Sequence, residues 1–464
     1  MSRNGQQAPA STVMQPSDAF FWHAEQAAPE LRPLVAGLFL LDRRPEHARL
    51  RRSLERLVAI APRLRQCVVD PPFGFGLPSW VADTEFDLDY HLRVVALSDD
   101  TDMAALLALS SEIFSAPLDH LRPLWEAHVI EGLDGGRAAL LLKLHHSLLD
   151  GAGSVALFDG LTQARRSDAI RVPRSGGARL GVPPRAAPGA GDTLRAVANA
   201  LASLADPAQA RRLARGLAGV LGEIGRVSET PPWHGEGAGI GRRLAILDLD
   251  MGRLQRIKAA LGATLNDIVL TAVAGALAGY EDLGRRGPRE LQCMVPMSLR
   301  SRDESAALGN RVGGFTVSLP IRAATPAARL ARIRAQTTRA KSDGHGSAFK
   351  TMMQAAAYVP PVLFRLAGQL ISGKLHLLCS NVPGPPVTRY LAGARIEGVH
   401  PFAPVIGGTP LAIALMSYAG RLCVGIDSDP AEIPDPERLA ALIAAQLKEM
   451  ERKTPRPRRQ ARRA

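Results

Sequence analysis

The sequence predicts a mixed α/β protein built either as two domains or as one large pseudo-symmetric unit. Three observations predict it. The chain has 464 residues, 46% of them hydrophobic, which is more than one small core needs. Its apolar positions switch repeatedly between the helical and the strand period. A stretch rich in Arg, Gly, Ala and Pro over residues 165–191 separates two such patterned regions.

In the first region, residues 46–61 carry a helical period and 64–69 a strand period. Residues 124–130 read as an apolar strand, and Trp125, two residues after Pro123, is a packing residue rather than a chemical one. Residues 138–144 (AALLLKL) follow the turn Asp134-Gly135-Gly136 and form a nearly continuous apolar run, the signature of a buried strand. A helix over 151–163 comes next. Beyond the break, 193–227 is an Ala- and Leu-rich helical stretch broken near Pro207, and 231–241 (PPWHGEGAGIG) is a loop. The second region begins near Arg242, with a strand at 244–249, a helix at 253–261, a longer apolar helix at 265–280 and a strand at 291–296. Strands and helices interleave to about Ile426, and a helix over 436–450 closes the fold. The organisation expected is a first half at 1–165, a crossover at 166–241, a second half at 242–450 and a tail at 451–464.

The net charge of +13 suggests a polyanion partner until it is mapped, because residues 452–464 hold seven Lys or Arg and no acid, leaving +6 elsewhere. With Pro455 and Pro457 in it, that tail is expected to be solvated and disordered, and no nucleic-acid motif accompanies it. No stretch approaches the ~20 apolar residues of a membrane span. The first 17 residues carry Ser, Gln and Pro where a secretory signal places an apolar core, so cytoplasmic residence is expected. Cys67, Cys293, Cys379 and Cys423 form no C-x-x-C pair, so they are expected to be reduced and mostly buried. Residues 368–374 have the glycine and lysine spacing of a phosphate loop, but Leu375 stands where Ser or Thr must hold magnesium. There is no G-x-S-x-G elbow, and the glycines of 235–241 miss G-x-G-x-x-G, which weakens hydrolase and dinucleotide readings.

The informative segment is His145-His146-Ser147-Leu148-Leu149-Asp150-Gly151, between the buried strand and the following helix. Backbone pairing holds a strand-end histidine rigidly, and an imidazole near neutral pH can take a proton from an alcohol and return it to a leaving thiolate. Asp150 would lock the loop, and Gly151 would permit a tight turn. The competing reading makes both histidines satisfied core residues and Asp150 an ordinary helix N-cap. A zinc site would have to use His145 and His146, which leave the strand on opposite faces, so no metal is expected. Thr264 and Asp267 fit a capping box, leaving Asn266 open between local structure and substrate contact. Ser380-Asn381 ends the apolar run 375–379 ahead of Pro383-Gly384-Pro385-Pro386, either as an ordinary polar turn or as donors to a developing oxyanion. Residues 355–370, apolar around Pro360 and Pro361, suit core or a lipid-facing surface.

HHSLLDG matches the HHxxxDG signature of the CoA-dependent acyltransferase superfamily, and further segments resemble the bacterial wax ester synthase/diacylglycerol acyltransferase family. They are Pro16-Ser17-Asp18-Ala19-Phe20-Phe21, Phe86-Asp87 with His91-Leu92-Arg93, Pro117-Leu118-Asp119 and Pro123-Leu124-Trp125-Glu126. Asn266-Asp267-Ile268-Val269, Val295-Pro296-Met297-Ser298-Leu299-Arg300, Leu308-Gly309-Asn310 and Ser380-Asn381-Val382-Pro383-Gly384-Pro385 continue the series in order. Trp233-His234-Gly235, where many members carry an Asn-Gly turn, and the Pro- and Gly-rich 165–191 segment depart from the pattern.

The resemblance implies two chloramphenicol-acetyltransferase-like halves, each a β-sheet flanked by helices, over a tunnel between them. It implies transfer of a long-chain acyl group from acyl-CoA to a fatty alcohol or diacylglycerol, with His146 as general base and His145 in support. Gly151, Asn266, Ser380 and Asn381 would line the substrate path, and Asp150 would pair with Arg300. No metal or redox cofactor is implied, since acyl-CoA is the substrate, and peripheral contact with a membrane or lipid body fits such substrates. The alternatives are a carrier-protein-dependent condensation or ester transferase, and a catalytically silent lipid-binding protein.

Overall fold

The computed structural model describes residues 12–28, 32–71, 77–173, 239–280, 283, 287–298, 312–323, 325–342, 345–357, 374–405 and 409–452. The helical stretch 193–227, the motifs Trp233-His234-Gly235 and Leu308-Gly309-Asn310, Arg300, the Pro360-Pro361 segment and residues 453–464 lie outside the described residues.

The first half runs β1 (Thr12–Val13), α1 (Pro16–Ala27), β2 (Leu34–Leu41), α2 (His47–Ile60), β3 (Gln66–Val69), β4 (Ser79–Ala82), α3 (Leu88–His91), β5 (Leu92–Thr101), α4 (Met103–Ser115), β6 (Trp125–Leu133), β7 (Arg137–His145) and α5 (Gly151–Leu161). The second runs β8 (Arg243–Asp250), α6 (Met251–Leu261), α7 (Leu265–Gly279), β9 (Glu290–Ser298), β10 (Val312–Pro320), α8 (Pro326–Ser342), α9 (His345–Ala356), β11 (Leu377–Val382), β12 (Tyr390–Leu391), β13 (Ala394–Phe402), β14 (Leu411–Tyr418), β15 (Arg421–Ser428) and α10 (Pro436–Arg452).

Two six-stranded sheets carry the architecture, in the orders β12-β13-β2-β7-β6-β5 and β10-β9-β11-β14-β15-β8. Each has its own large apolar cluster. The apolar run of β7 is explained by its place: it pairs with β2 on one side and β6 on the other, and every residue after Arg137 is buried. The turn feeding it uses positive φ at Gly135 (65°) and Gly136 (70°), as the Asp-Gly-Gly sequence suggests. Trp125 is fully buried, donates Nε1–H to the Leu64 carbonyl at 2.9 Å and stacks on His91, a packing role.

In the second half, the long apolar pattern of α7 lacks a polar face because Asp267 through Leu277 are all buried. No single described helix is long and apolar enough to cross a membrane. One arrangement is not expressed in the local periodicity. β13 comes late in the chain but pairs antiparallel with β2, and β12 pairs with β13, so the second half supplies two strands to the first sheet.

Candidate active site

His145 closes β7, and its N–H donates to the Leu124 carbonyl at 3.0 Å while that of His146 donates to Pro33 at 2.8 Å. Both backbones are therefore fixed between neighbouring segments, and the side chains go to different surroundings. His145 is wholly buried. The Ser147 N–H donates to His145 Nδ1 at 3.1 Å, with Ser147 Oγ 2.6 Å from the same nitrogen. An accepting Nδ1 puts the proton on Nε2, which lies 3.0 Å from Glu25 Oε2, in a close electrostatic contact that is poorly aligned for a hydrogen bond. Burial pushes the imidazole's pKa below its ordinary value against the pull of Glu25, so His145 is held neutral.

Glu25, on α1, is 7% exposed and also meets His120 Nε2 at 3.3 Å and Arg32 Nε at 3.2 Å. Burial alone raises a carboxyl, but the contacts with His120 and His145 outweigh it and hold Glu25 far below the usual carboxylate range.

His146 stacks on Phe21, ring centroids 4.1 Å apart and planes 18° apart, and is half-buried. Of the two imidazoles, His146 alone retains exposure to solvent.

The rest of the loop is tied down from several directions. Asp150 is buried and caps α5, accepting the Gly153 N–H at 2.9 Å, so its reading as an N-cap is correct as far as it goes. Gly151 follows as the first residue of that helix. The expected partner of Asp150, Arg300, lies outside the described residues. The Leu148 carbonyl faces Arg63 Nη1 at 3.4 Å, and Arg63 in turn pairs with the fully buried Asp18 at 3.0 Å and lies over the ring of Trp80.

On the second half, Thr264 and Asp267 form the expected capping box at the start of α7. Asn266 and Asn381 meet directly, Asn381 Nδ2 donating to Asn266 Oδ1 at 2.7 Å. Ser380 and Asn381 lie inside β11, which runs on to Val382, rather than in the turn beyond it; parallel pairing with β14 extends the strand past the apolar run. Alternation then sends Ser380 and Asn381 to opposite faces. α5 lies against β11, so the helix following the histidine loop abuts the strand that carries them.

Glu25, Arg63 and His120 were not singled out from sequence, and Asp18 and Ser147 stood there as motif positions with no role assigned. Asp18 stands in the Pro16–Phe21 motif, where an acid between apolar residues was the available signal. Glu25 follows Phe21 by one helical turn, a spacing that places it on the face turned to the histidines only once α1 is known to pack there. A cleft at the seam of the halves is lined by Arg32, Leu34 and Phe114 on one side and Arg242, Val405 and Asp427 on the other. Asp427 is fully buried there, 4.0 Å from Arg242, and burial, set against that arginine, pushes its carboxyl up to about 8.

The sequence model of the wax ester synthase/diacylglycerol acyltransferase catalytic domain matches residues 14–269, and that of the WS/DGAT C-terminal domain matches residues 308–451. The chain is 32% identical to the protein named probable diacylglycerol O-acyltransferase tgs2 of Mycobacterium tuberculosis, over 95% of this chain and 98% of the relative. Its fold is similar to the wax ester synthase/diacylglycerol acyltransferase from Marinobacter aquaeolei VT8, with a TM-score of 0.67 at 24% identity over 96% of this chain and 99% of that one. It is also similar in fold to the first condensation domain of the calcium-dependent antibiotic synthetase, with a TM-score of 0.65 at 18% identity and 96% of each chain covered.

Proposed function

Because the chain belongs to the wax ester synthase/diacylglycerol acyltransferase family, we propose that His146 is the general base of its acyl transfer. The enzyme is an O-acyltransferase that uses acyl-CoA and a lipid alcohol, forming wax ester or triacylglycerol. In the proposed step His146 removes the hydroxyl proton as the alcohol oxygen attacks the thioester carbonyl. The tetrahedral intermediate collapses with cleavage of the carbon–sulfur bond, and His146 returns the proton to the departing CoA thiolate. Written this way the reaction consumes no redox equivalent and needs no cofactor beyond its substrate.

The observation that carries the assignment is the division between the two histidines. His145 is buried, neutral and committed to Ser147 and Glu25, whereas His146 rests one face on Phe21 and keeps partial exposure. A base must reach its substrate, and only the second imidazole has that access. Asn381 gives one amide hydrogen to Asn266, leaving its other N–H and the amide of Asn266 to serve as donors to the developing oxyanion, while Ser380, on the opposite face of β11, is left out of that role. Water-insoluble acceptors and products favour work at a membrane or lipid-body surface on the cytoplasmic side.

Labelled palmitoyl-CoA incubated with hexadecanol, with a diacylglycerol or with water, followed by mass spectrometry, identifies the product. His146→Ala is expected to remain folded and to lose roughly 10²- to 10⁴-fold in ester formation. Wild-type turnover by a folded His146→Ala variant would remove His146 from the mechanism. Product formed only from carrier-bound acyl groups would replace acyl-CoA as the donor.

A further inference from the structure

Side chains able to bind a metal converge outside the histidine motif, where the two sheets meet. β13 pairs with β2 in the first sheet, His400 opposite Leu38, and it also packs across β14 and β15 of the second. Gly425 on β15 makes this approach possible, because a Cβ there would sit 2.0 Å from the Pro401 carbonyl oxygen. A Cβ at Gly398 would stand 3.0 Å from His400 Cε1, so this glycine leaves the space the imidazole occupies.

The ring of His400 is completely buried and faces the second sheet, with Nε2 3.2 Å from Asp248 Oδ1 on β8. Cys423 on β15 is the direct cross-strand partner of Asp248. One ligand atom from each of Asp248, His400 and Cys423 lies within 4.8 Å of the others. His400 Nδ1 is buried with no hydrogen-bond partner. Asp248 is 38% exposed, and its Oδ2 is 3.7 Å from Arg421 Nη1, which leaves Oδ1 turned to the cluster.

We propose that Asp248, His400 and Cys423 form a binding site for a divalent ion of the zinc class, with a further coordination position open to solvent beside Asp248. The donor set is one nitrogen, one sulfur and one oxygen, the mixture that zinc accepts. In a tetrahedral zinc site with bonds of about 2.0–2.3 Å, ligand atoms stand roughly 3.3–3.8 Å apart. The Nε2–Oδ1 separation of 3.2 Å is close to this range, and all three ligand atoms lie within 4.8 Å of one another.

Three strands hold the donors, so the site is largely formed before the ion arrives. Loading forms a metal–sulfur bond and releases the Cys423 thiol proton to solvent. The bound ion would fasten the crossover strand β13 to β8 and β15. The ligands are separated by 23 residues or more along the chain, which is why no C-x-x-C or H-x-x-x-H spacing announces them.

The test uses the full-length protein, stripped with chelator and titrated with cobalt(II) and then zinc(II). Cobalt binding is expected at one equivalent, with a thiolate-to-cobalt charge-transfer band that zinc abolishes. Cys423→Ser should remove the band, and Asp248→Asn should weaken zinc binding by at least about tenfold. Cys67→Ser should leave both unchanged, since Cys67 lies elsewhere and is the one half-buried cysteine. Asp248→Asn alters only a half-exposed side chain, so it remains informative if a buried substitution harms folding. The proposal is overturned if no charge-transfer band forms, if the band survives Cys423→Ser, or if Asp248→Asn binds zinc as tightly as wild type. His400 and Asp248 would then be joined only by their hydrogen bond.

Discussion

Replacing Glu25 tests whether the histidine loop is held from beneath. The carboxylate touches three potential donors, Arg32, His120 and His145, at 3.2, 3.3 and 3.0 Å. Glu25→Gln keeps the shape but removes the charge, leaving Arg32 with the Ser115 carbonyl at 3.0 Å and a side chain only 14% exposed. Breaking one member of a buried pair costs about 3–5 kcal/mol, and the remaining partner of Arg32 argues for the low end, about 3 kcal/mol. The sign of the pH dependence follows from the lowered pKa of Glu25. The carboxylate's contribution is complete above the ordinary value of 4.5 and is lost as pH falls through the lower folded value, so wild type and Glu25→Gln should converge in stability only on acidification. Glutamine keeps a polar oxygen or amide against His145 Nε2, so activity should largely survive in this variant. Glu25→Leu keeps neither, and the freed His145 should let His146 drift, lowering kcat by up to about 10²-fold with KM for palmitoyl-CoA nearly unchanged. Urea unfolding followed by tryptophan fluorescence, with initial rates on hexadecanol, measures both. Full kcat in Glu25→Leu, or a Glu25→Gln loss below about 0.5 kcal/mol, would refute the reasoning.

Three further outcomes are expected. Asp427→Asn should be more stable than wild type by an amount that grows between pH ~4 and ~8 and then levels off, because burial raises the folded carboxyl's pKa to about 8 and wild type loses stability as it ionises; parallel unfolding curves across that range would contradict it. Asp150→Asn preserves the cap to Gly153 and removes only the charge, so a loss of about 3–5 kcal/mol, non-additive with Arg300→Ala, is expected from a buried ion pair, whereas wild-type stability in Asp150→Asn would leave Asp150 a cap alone. Asn381→Leu removes a proposed oxyanion donor and should cost about 10²- to 10³-fold in kcat, and an unchanged kcat would return Asn381 and Asn266 to a structural role.

Much of the fold was legible because it is encoded in local patterns. The run at 138–144 became β7, Thr264 with Asp267 became a capping box, and the 436–450 pattern became α10. His145 and His146 could be located at a strand end but not told apart, since their difference lies in Glu25 and Phe21 on α1, residues brought beneath them only by packing. The same limit applies to Ser380 and Asn381, whose polar letters left a turn and a donor role both open, and parallel pairing with β14 carries the strand through them. Periodicity specifies that residues 394–402 form a strand, but it does not specify the partner strand.

The pairing of β13 with β2 governs how this chain must be made. Ile396 meets Leu41, so the edge of β2 (LVAGLFLL) waits for residues synthesised some 350 positions later. At about 5–20 residues per second, a ribosome leaves that apolar edge without its final neighbour for roughly 20–70 s. An unpaired apolar edge is a template for association between chains. The first half expressed by itself should therefore aggregate or recruit a chaperone, and supplying the 394–402 segment as a separate peptide should restore its solubility.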